Sequence, residues 1–235
     1  MTPVSPKTDA STEQTAWHSL SVAEVRSRLD AGQPLDGAEV SRRAQEYGPN
    51  RLPEPARQGP LARLGRQLKN FLIHVLVVAA LITALLGHWM DTVVILAVVV
   101  IQTLVGFLQE GKAEQALAAI RHMLAPQATV VRKDGRHTVP AEELVPGDTL
   151  LLEPGDRVPA DVRLEQAHGL QVDEAILTGE SMAVDKAVAG ESPDAALGDQ
   201  RSMAFAGTMV TTGTGRGVVV RTGPHTEIGR ISGLL

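Results

Sequence analysis

Apolar and polar positions along the chain follow three different rhythms, each pointing to a different kind of element. Near the N-terminus two short stretches carry paired helix start and stop signals. In "LSVAEVRSRLDAG" (20–32), Ser21 and Glu24 form a capping box, Leu20 and Val25 a hydrophobic staple, and Gly32 a stop. In "LDGAEVSRRAQEYG" (35–48), Asp36 and Glu39, Leu35 and Val40, and Gly48 repeat the arrangement. These predict two helices of at most about three turns, too short to stand alone and therefore a cap on something larger.

The second rhythm is continuous. Phe71–Gly87 and Thr92–Leu108 are apolar runs of 17 residues each, without Asp, Glu, Lys or Arg. That length is the lower edge of what crosses a bilayer, and buried core helices share it. Two such runs in succession, apolar around the whole circumference, favour a membrane hairpin over a soluble core. The link "HWMD" (88–91) has no basic residue, whereas Arg63, Arg66 and Lys69 precede the pair and Lys112 and Arg121 follow it. Both ends are therefore expected on the cytoplasmic side. Helix formers continue to Leu124, so the second helix should reach roughly 50 Å and extend from the bilayer as a stalk. His74 and Gln102 inside the runs read as contacts between helices or with the interface, not as a transport site.

After Pro126 the third rhythm is that of short strands and turns. "ATVVRKDGRHTV" (128–139) reads as a hairpin on Asp134–Gly135, and "DTLLLEPGDRVPADVRL" (148–164) as two strands around Pro154–Gly155. "SMAFAGTMVTTGTGRGVVVRTG" (202–223) adds at least two more, with "GTGRG" (213–217) taken as a flexible turn between them. Together they predict a compact antiparallel sandwich or distorted jelly roll, and "TEIGRISGLL" begins a further helix. The predicted organisation is a disordered tail (1–15), a helical segment with a four-proline linker (16–60), a transmembrane hairpin with stalk (61–125) and a β-rich domain (126–235). The fold class is that of an α+β membrane protein.

Composition narrows the chemistry. There is no cysteine, so disulfides, thiolate metal sites and cysteine nucleophiles are excluded. With 22 basic and 27 acidic residues, and six aromatic Phe, Trp and Tyr in all, neither a basic footprint nor a stacking platform for nucleic acid is present. No basic segment followed by an apolar one opens the chain as a secretory signal would. The seven histidines are scattered without metal-ligand spacing, no phosphate-binding G-x-x-x-x-G-K-[ST] occurs, and "TGESM" is not a G-x-S-x-G elbow.

One stretch remains. "VDEAILTGESMAVDK" (172–186) sets Glu180 between Thr178–Gly179 and Ser181 within strand-like sequence. Glycine beside a carboxylate lets the backbone approach a partner closely, and the hydroxyls can hydrogen-bond the carboxylate or its target. The arrangement suits a loop that delivers a base to water; an ordinary exposed turn would look the same.

The order of motifs resembles the P-type cation-transporting ATPases, in the type II branch with the calcium and sodium/potassium pumps. "WHSLSVAEV" and "YGPNRLPE" resemble its N-terminal cytoplasmic segment, and "FLQEGKAEQAL" the end of its second transmembrane helix. "PAEELVPGD", "GDRVPAD" and "VDEAILTGES" resemble the actuator domain, and "MAFAGTMVTTGTGRGVVVRTGPHTEIGRI" the run towards the third membrane helix. The resemblance implies that Glu180 positions and activates the water that hydrolyses an aspartyl phosphate. It implies that Gly179 permits close approach while Thr178 and Ser181 shape the loop. No D-K-T-G-T phosphorylation signature and no nucleotide site occur in the sequence. The chain is thus expected to be the front part of a pump and inactive alone, with no cofactor or metal of its own. ATP and Mg2+ would belong to the full-length protein. Its expected partners are the lipid bilayer, the remaining domains and helices, and the transported cation, and its expected location is the plasma (inner) membrane. A membrane-anchored β-domain without catalysis, such as a channel subunit or scaffold, is the competing class. A pore would call for a polar or small-residue face, and neither run shows one.

Overall fold

The computed structural model describes residues 15–52, 71–123, 126–180 and 182–233. Most of the expected tail, residues 53–60 of the expected linker, Arg63, Arg66, Lys69, Leu124 and Ser181 lie outside them. The chain divides into two units, one holding the N-terminal segment together with everything after Ala125, the other the apolar helices.

In the first unit, helix α1 (Val22–Arg28) begins with the expected reciprocal box: Ser21 accepts from the Glu24 N–H, and Glu24 accepts from the Ser21 N–H. It ends earlier than Gly32. Asp30 adopts φ +48°, and the Ala31 and Asp30 N–H groups donate back to the Arg26 and Ser27 carbonyls. This left-handed cap needs a residue that tolerates positive φ, and a short aspartate serves where glycine was expected. Helix α2 (Gly37–Tyr47) is capped by Asp36 and stopped by Gly48 as expected, but Glu39 turns away from the box to pair with Arg42 and Arg43.

Strands β1 (Gln127–Arg132), β2 (Gly135–Pro140), β3 (Thr149–Leu152), β4 (Asp161–Asp173), β5 (Val184–Asp185), β6 (Met203–Ala204) and β7 (Met209–Arg221) form one antiparallel sheet in the order β2-β1-β3-β7-β4-β5, with β6 on β4. The first hairpin turns on Lys133–Asp134, with Gly135 opening the return strand. Although β3 and β4 flank the Pro154–Gly155 turn, they do not pair; β7 lies between them.

The expectation of a turn at 213–217 is overturned: these residues run through the middle of β7. Their glycines serve close approach. A Cβ on Gly217 would lie 2.5 Å from the Arg163 carbonyl oxygen, and one on Gly213 would overlap the Gly169 carbonyl. β4 is bulged along this edge, and bare backbone on β7 accommodates it.

Both faces of β7 are buried over Gly217–Val220. Val219 joins a core with Val130, Leu150, Val162, Leu164 and Val172, whereas Val218 and Val220 join a second core with Trp17, Val25, Leu29, Leu35 and Phe205. The unbroken Val218–Val219–Val220 run is therefore a central strand covered on two sides, with the N-terminal helices supplying one cover. The first part of the expected linker is equally integrated: Asn50 donates to the Ala141 and Pro159 carbonyls and accepts from the Gly223 N–H. A closing helix, α3 (Glu227–Gly233), follows β7.

The second unit holds two apolar helices, which we call αM1 (Phe71–Leu85) and αM2 (Trp89–Met123), packed against each other. The link is tighter than the sequence suggested, because Trp89–Asp91 already belong to αM2. Thr83 and Thr92 share one hydrogen bond between their hydroxyls at 2.9 Å at this turn. αM2 is unbroken over 35 residues, and its Trp89–Gln109 stretch is long and apolar enough to cross a membrane. Over the described residues αM1 is an apolar helix of 15 residues.

Candidate functional site: the Glu180 loop

The loop carrying Glu180 leaves the sheet at the end of β4 and returns at β5, and Val172 pairs with Val184 across its neck. Strand-like sequence was expected here, but Ala175–Thr178 form a single helical turn. The Asp173 carboxylate accepts from the Ala175 N–H at 2.9 Å and starts the turn; Gly179, at φ +76° and ψ +1°, ends it. That left-handed position favours glycine, since a side chain there is strained.

Thr178 Oγ1 donates to the Glu174 carbonyl at 3.2 Å and accepts from the Glu180 N–H at 3.2 Å. Its hydroxyl thus links the helical turn to the backbone of Glu180. Glu180 itself is exposed, flanked by Ile176 at 59% and Met182 at 81% exposure. The structure therefore brings Thr178, Gly179 and Glu180 together at one exposed tip.

Beneath the tip the loop is anchored in the core. Leu177 packs on the cluster that contains Trp17 and Phe205. Glu174 and Lys186, at the loop's entrance and exit, form an ion pair of 2.5 Å with side chains 1% and 0% exposed. Burial pushes the Glu174 carboxyl up and the Lys186 ammonium down, and each opposes the other's shift through its charge. Lys186 Nζ also lies 5.6 Å from the centre of the Phe205 ring and donates to the Gln200 carbonyl at 3.4 Å. Of the carboxylates near Glu180, Glu174 is a core residue and Asp173 a cap. Nothing in the spacing of Glu174 and Lys186 announced their pairing, which depends on the loop folding back on itself. Among the described residues no cluster of His, Cys, Asp or Glu is arranged to hold a metal ion.

The arrangement is thus an exposed carboxylate on a braced tip, carried by an antiparallel sheet with helical cover. Residues 122–235 match the family model described as the P-type ATPase actuator domain, and residues 17–83 that of the cation transporter/ATPase N-terminus. The chain is 46% identical to "Probable cation-transporting ATPase F" of Mycobacterium tuberculosis over 223 residues, 94% of this chain and 25% of that protein. It is 42% identical to a calcium-transporting ATPase of Bacillus subtilis, over 86% of this chain and 23% of that one. With a sodium/potassium exporting P-type ATPase of Schizosaccharomyces pombe the identity is 37%, over 84% and 19% of the two chains. The chain belongs to the P-type cation-transporting ATPases and comprises their N-terminal region with the actuator domain. It spans about a quarter of the length of the curated relatives it matches.

Proposed function

We propose that the chain is the actuator-bearing front part of an ATP-driven cation pump of the type II branch, and that its Glu180 loop completes a dephosphorylation site whose phosphorylated aspartate lies in another part of the same pump. The observation that carries this is the Glu180 tip: a carboxylate free in solvent on a loop whose base is fixed by buried groups. Docked against an aspartyl phosphate, the Glu180 carboxylate accepts a proton from water as the water oxygen attacks phosphorus. The bond from phosphorus to the aspartate oxygen breaks, its electron pair returns to the aspartate carboxylate, and inorganic phosphate leaves. Gly179 keeps the approach clear, and the Thr178 hydroxyl sets the backbone of Glu180. Ser181, which lies outside the described residues, would help shape the loop.

In this reading β1–β7 form a distorted jelly roll, and αM1 and αM2 cross the plasma (inner) membrane as a hairpin with both ends cytoplasmic. αM2 precedes β1 directly in the chain order, and in this reading actuator movement passes to a membrane helix through that covalent connection. ATP and Mg2+ act at the remaining parts of the pump, which also carry the cation. In a complete pump containing residues 1–235, Glu180→Gln should leave phosphorylation by ATP intact and lower steady-state turnover. Normal turnover in that variant would refute the proposal.

A further inference from the structure

The buried pair beneath the loop poses an energetic question. Removing a carboxylate and an ammonium from water costs several kcal/mol each, and an apolar pair of similar volume is often equally stable or better. Leu177, Leu197 and Phe205 already supply an apolar setting on this side of the sheet. Among the described residues, no donor other than Lys186 Nζ is set against the Glu174 carboxylate. Two flexible apolar side chains would fill the same space without fixing a direction. An ion pair fixes one: it ties the residue immediately before the helical turn to the residue immediately after β5.

Lys186 is itself held from several sides. Its N–H donates to the Leu170 carbonyl on β4, its Nζ to the Gln200 carbonyl, and its charge sits over Phe205. Glu174 is held through its backbone, whose carbonyl accepts from the Leu177 and Thr178 N–H groups and from Thr178 Oγ1. A continuous path therefore runs from the core through Lys186, Glu174 and Thr178 to the N–H of Glu180.

We propose that Glu174 and Lys186 are the positioning pair of the Glu180 loop, their ion pair fixing the stem so that the carboxylate is presented at one place. This rests on the dephosphorylation role proposed for Glu180. Neither residue touches the reacting atoms. Their effect is on where Glu180 stands, and misplacement of a catalytic group by about 1 Å costs on the order of a hundredfold in rate.

The informative variant is Glu174→Met/Lys186→Met, since either single change leaves a buried charge without its partner and confounds stability with position. In the full chain held in detergent, the double variant should melt close to the parent temperature. Amide exchange across 173–183 should rise at least about tenfold, with β4 and β7 unchanged. In a complete pump it should phosphorylate normally and lose phosphoenzyme about a hundredfold more slowly. Adding Glu180→Gln to it should slow decay no further than Glu180→Gln does alone, because the pair acts through that residue. Parent-like decay in the double variant, beside slow decay in Glu180→Gln, would overturn the positioning role and leave the role of Glu180 standing. Parent-like decay in Glu180→Gln would refute that role instead, and unchanged exchange in the loop would independently refute the stem. If the double variant does not fold, Glu174→Asp replaces it, keeping both charges while shortening the tether by one methylene. Slowed decay supports positioning, and unchanged decay overturns it.

Discussion

Asn50→Ala probes how the N-terminal segment is fastened to the β-domain. The Asn50 side chain donates from Nδ2 to the Ala141 and Pro159 carbonyls, both at 2.9 Å, and accepts from the Gly223 N–H at 2.7 Å. Ala141 also accepts from the Leu144 N–H, so its carbonyl keeps a partner when Asn50 is truncated. Among the described residues, the Pro159 carbonyl and the Gly223 N–H have no other partner and would be left bare. At about 1 kcal/mol for a neutral bond lost, and 1–3 for a buried group left unpaired, three contacts at a half-buried site amount to about 2–4 kcal/mol. Asn50→Asp should cost at least as much, since it places a carboxylate oxygen against two carbonyl oxygens. The assay is thermal unfolding of the full chain in detergent followed by the circular dichroism of the sheet, with the exposed neighbour Arg51→Ala as control. A midpoint loss of roughly 5–15 °C is expected for both Asn50 variants and little for Arg51→Ala. Equal midpoints for Asn50→Ala and Arg51→Ala would show that the segment is not fastened through this side chain.

Three further predictions follow from other parts of the structure. Gly217→Ala puts a Cβ 2.5 Å from the Arg163 carbonyl oxygen and should destabilise by about 3 kcal/mol, whereas Gly32→Ala, with nothing within 4 Å, should be neutral in the same melt. Burial pushes the Asp161 carboxyl up to about 7 against the opposing pull of the Ala206 and Glu227 N–H groups and Arg221. The folded state then holds this proton more tightly than the unfolded state. Its contribution is full at low pH and is lost as pH rises through about 7, so stability relative to Asp161→Asn should fall across pH 4–7 by at most about 1.4 kcal/mol per unit. A pH-independent difference between the two proteins would contradict this. Because the chain has no cysteine, single cysteines at Met90 and Lys133 report topology cleanly. An impermeant thiol reagent applied to intact cells should label the first and not the second, and labelling of the second would refute the hairpin.

What the sequence revealed, and what it hid, divides by the range of the interaction. Helix starts are local, and Ser21 with Glu24 and Asp36 with its own first turn stand where their spacing put them. Helix stops were less legible, because a left-handed cap accepts aspartate as well as glycine, and Asp30 took the place expected of Gly32. The glycines at 213–217 read as a turn because what demands them is a bulged neighbouring strand, distant in sequence. For the same reason Asn50 read as linker: its partners lie about 90 to 170 positions away. At the site itself, the Thr178–Gly179–Glu180 tip was legible as a motif. Glu174 was not, since its burial follows from a partner across the loop and not from its neighbours in sequence.

The central claim is that Glu180 serves a phosphorylated aspartate outside this segment, and phosphoenzyme lifetime tests it most directly. A complete pump carrying residues 1–235 is labelled with radioactive ATP, the ATP is removed, and acid-stable phosphoenzyme is followed in the parent, Glu180→Gln and Asp185→Asn. Asp185, an exposed carboxylate just beyond the same loop, serves as the control, since Glu174 is buried. The account predicts decay slowed by about a hundred- to ten-thousandfold in Glu180→Gln, the range of a lost general base, and parent-like decay in Asp185→Asn. Equal decay in all three would contradict it and return Glu180 to an ordinary surface carboxylate.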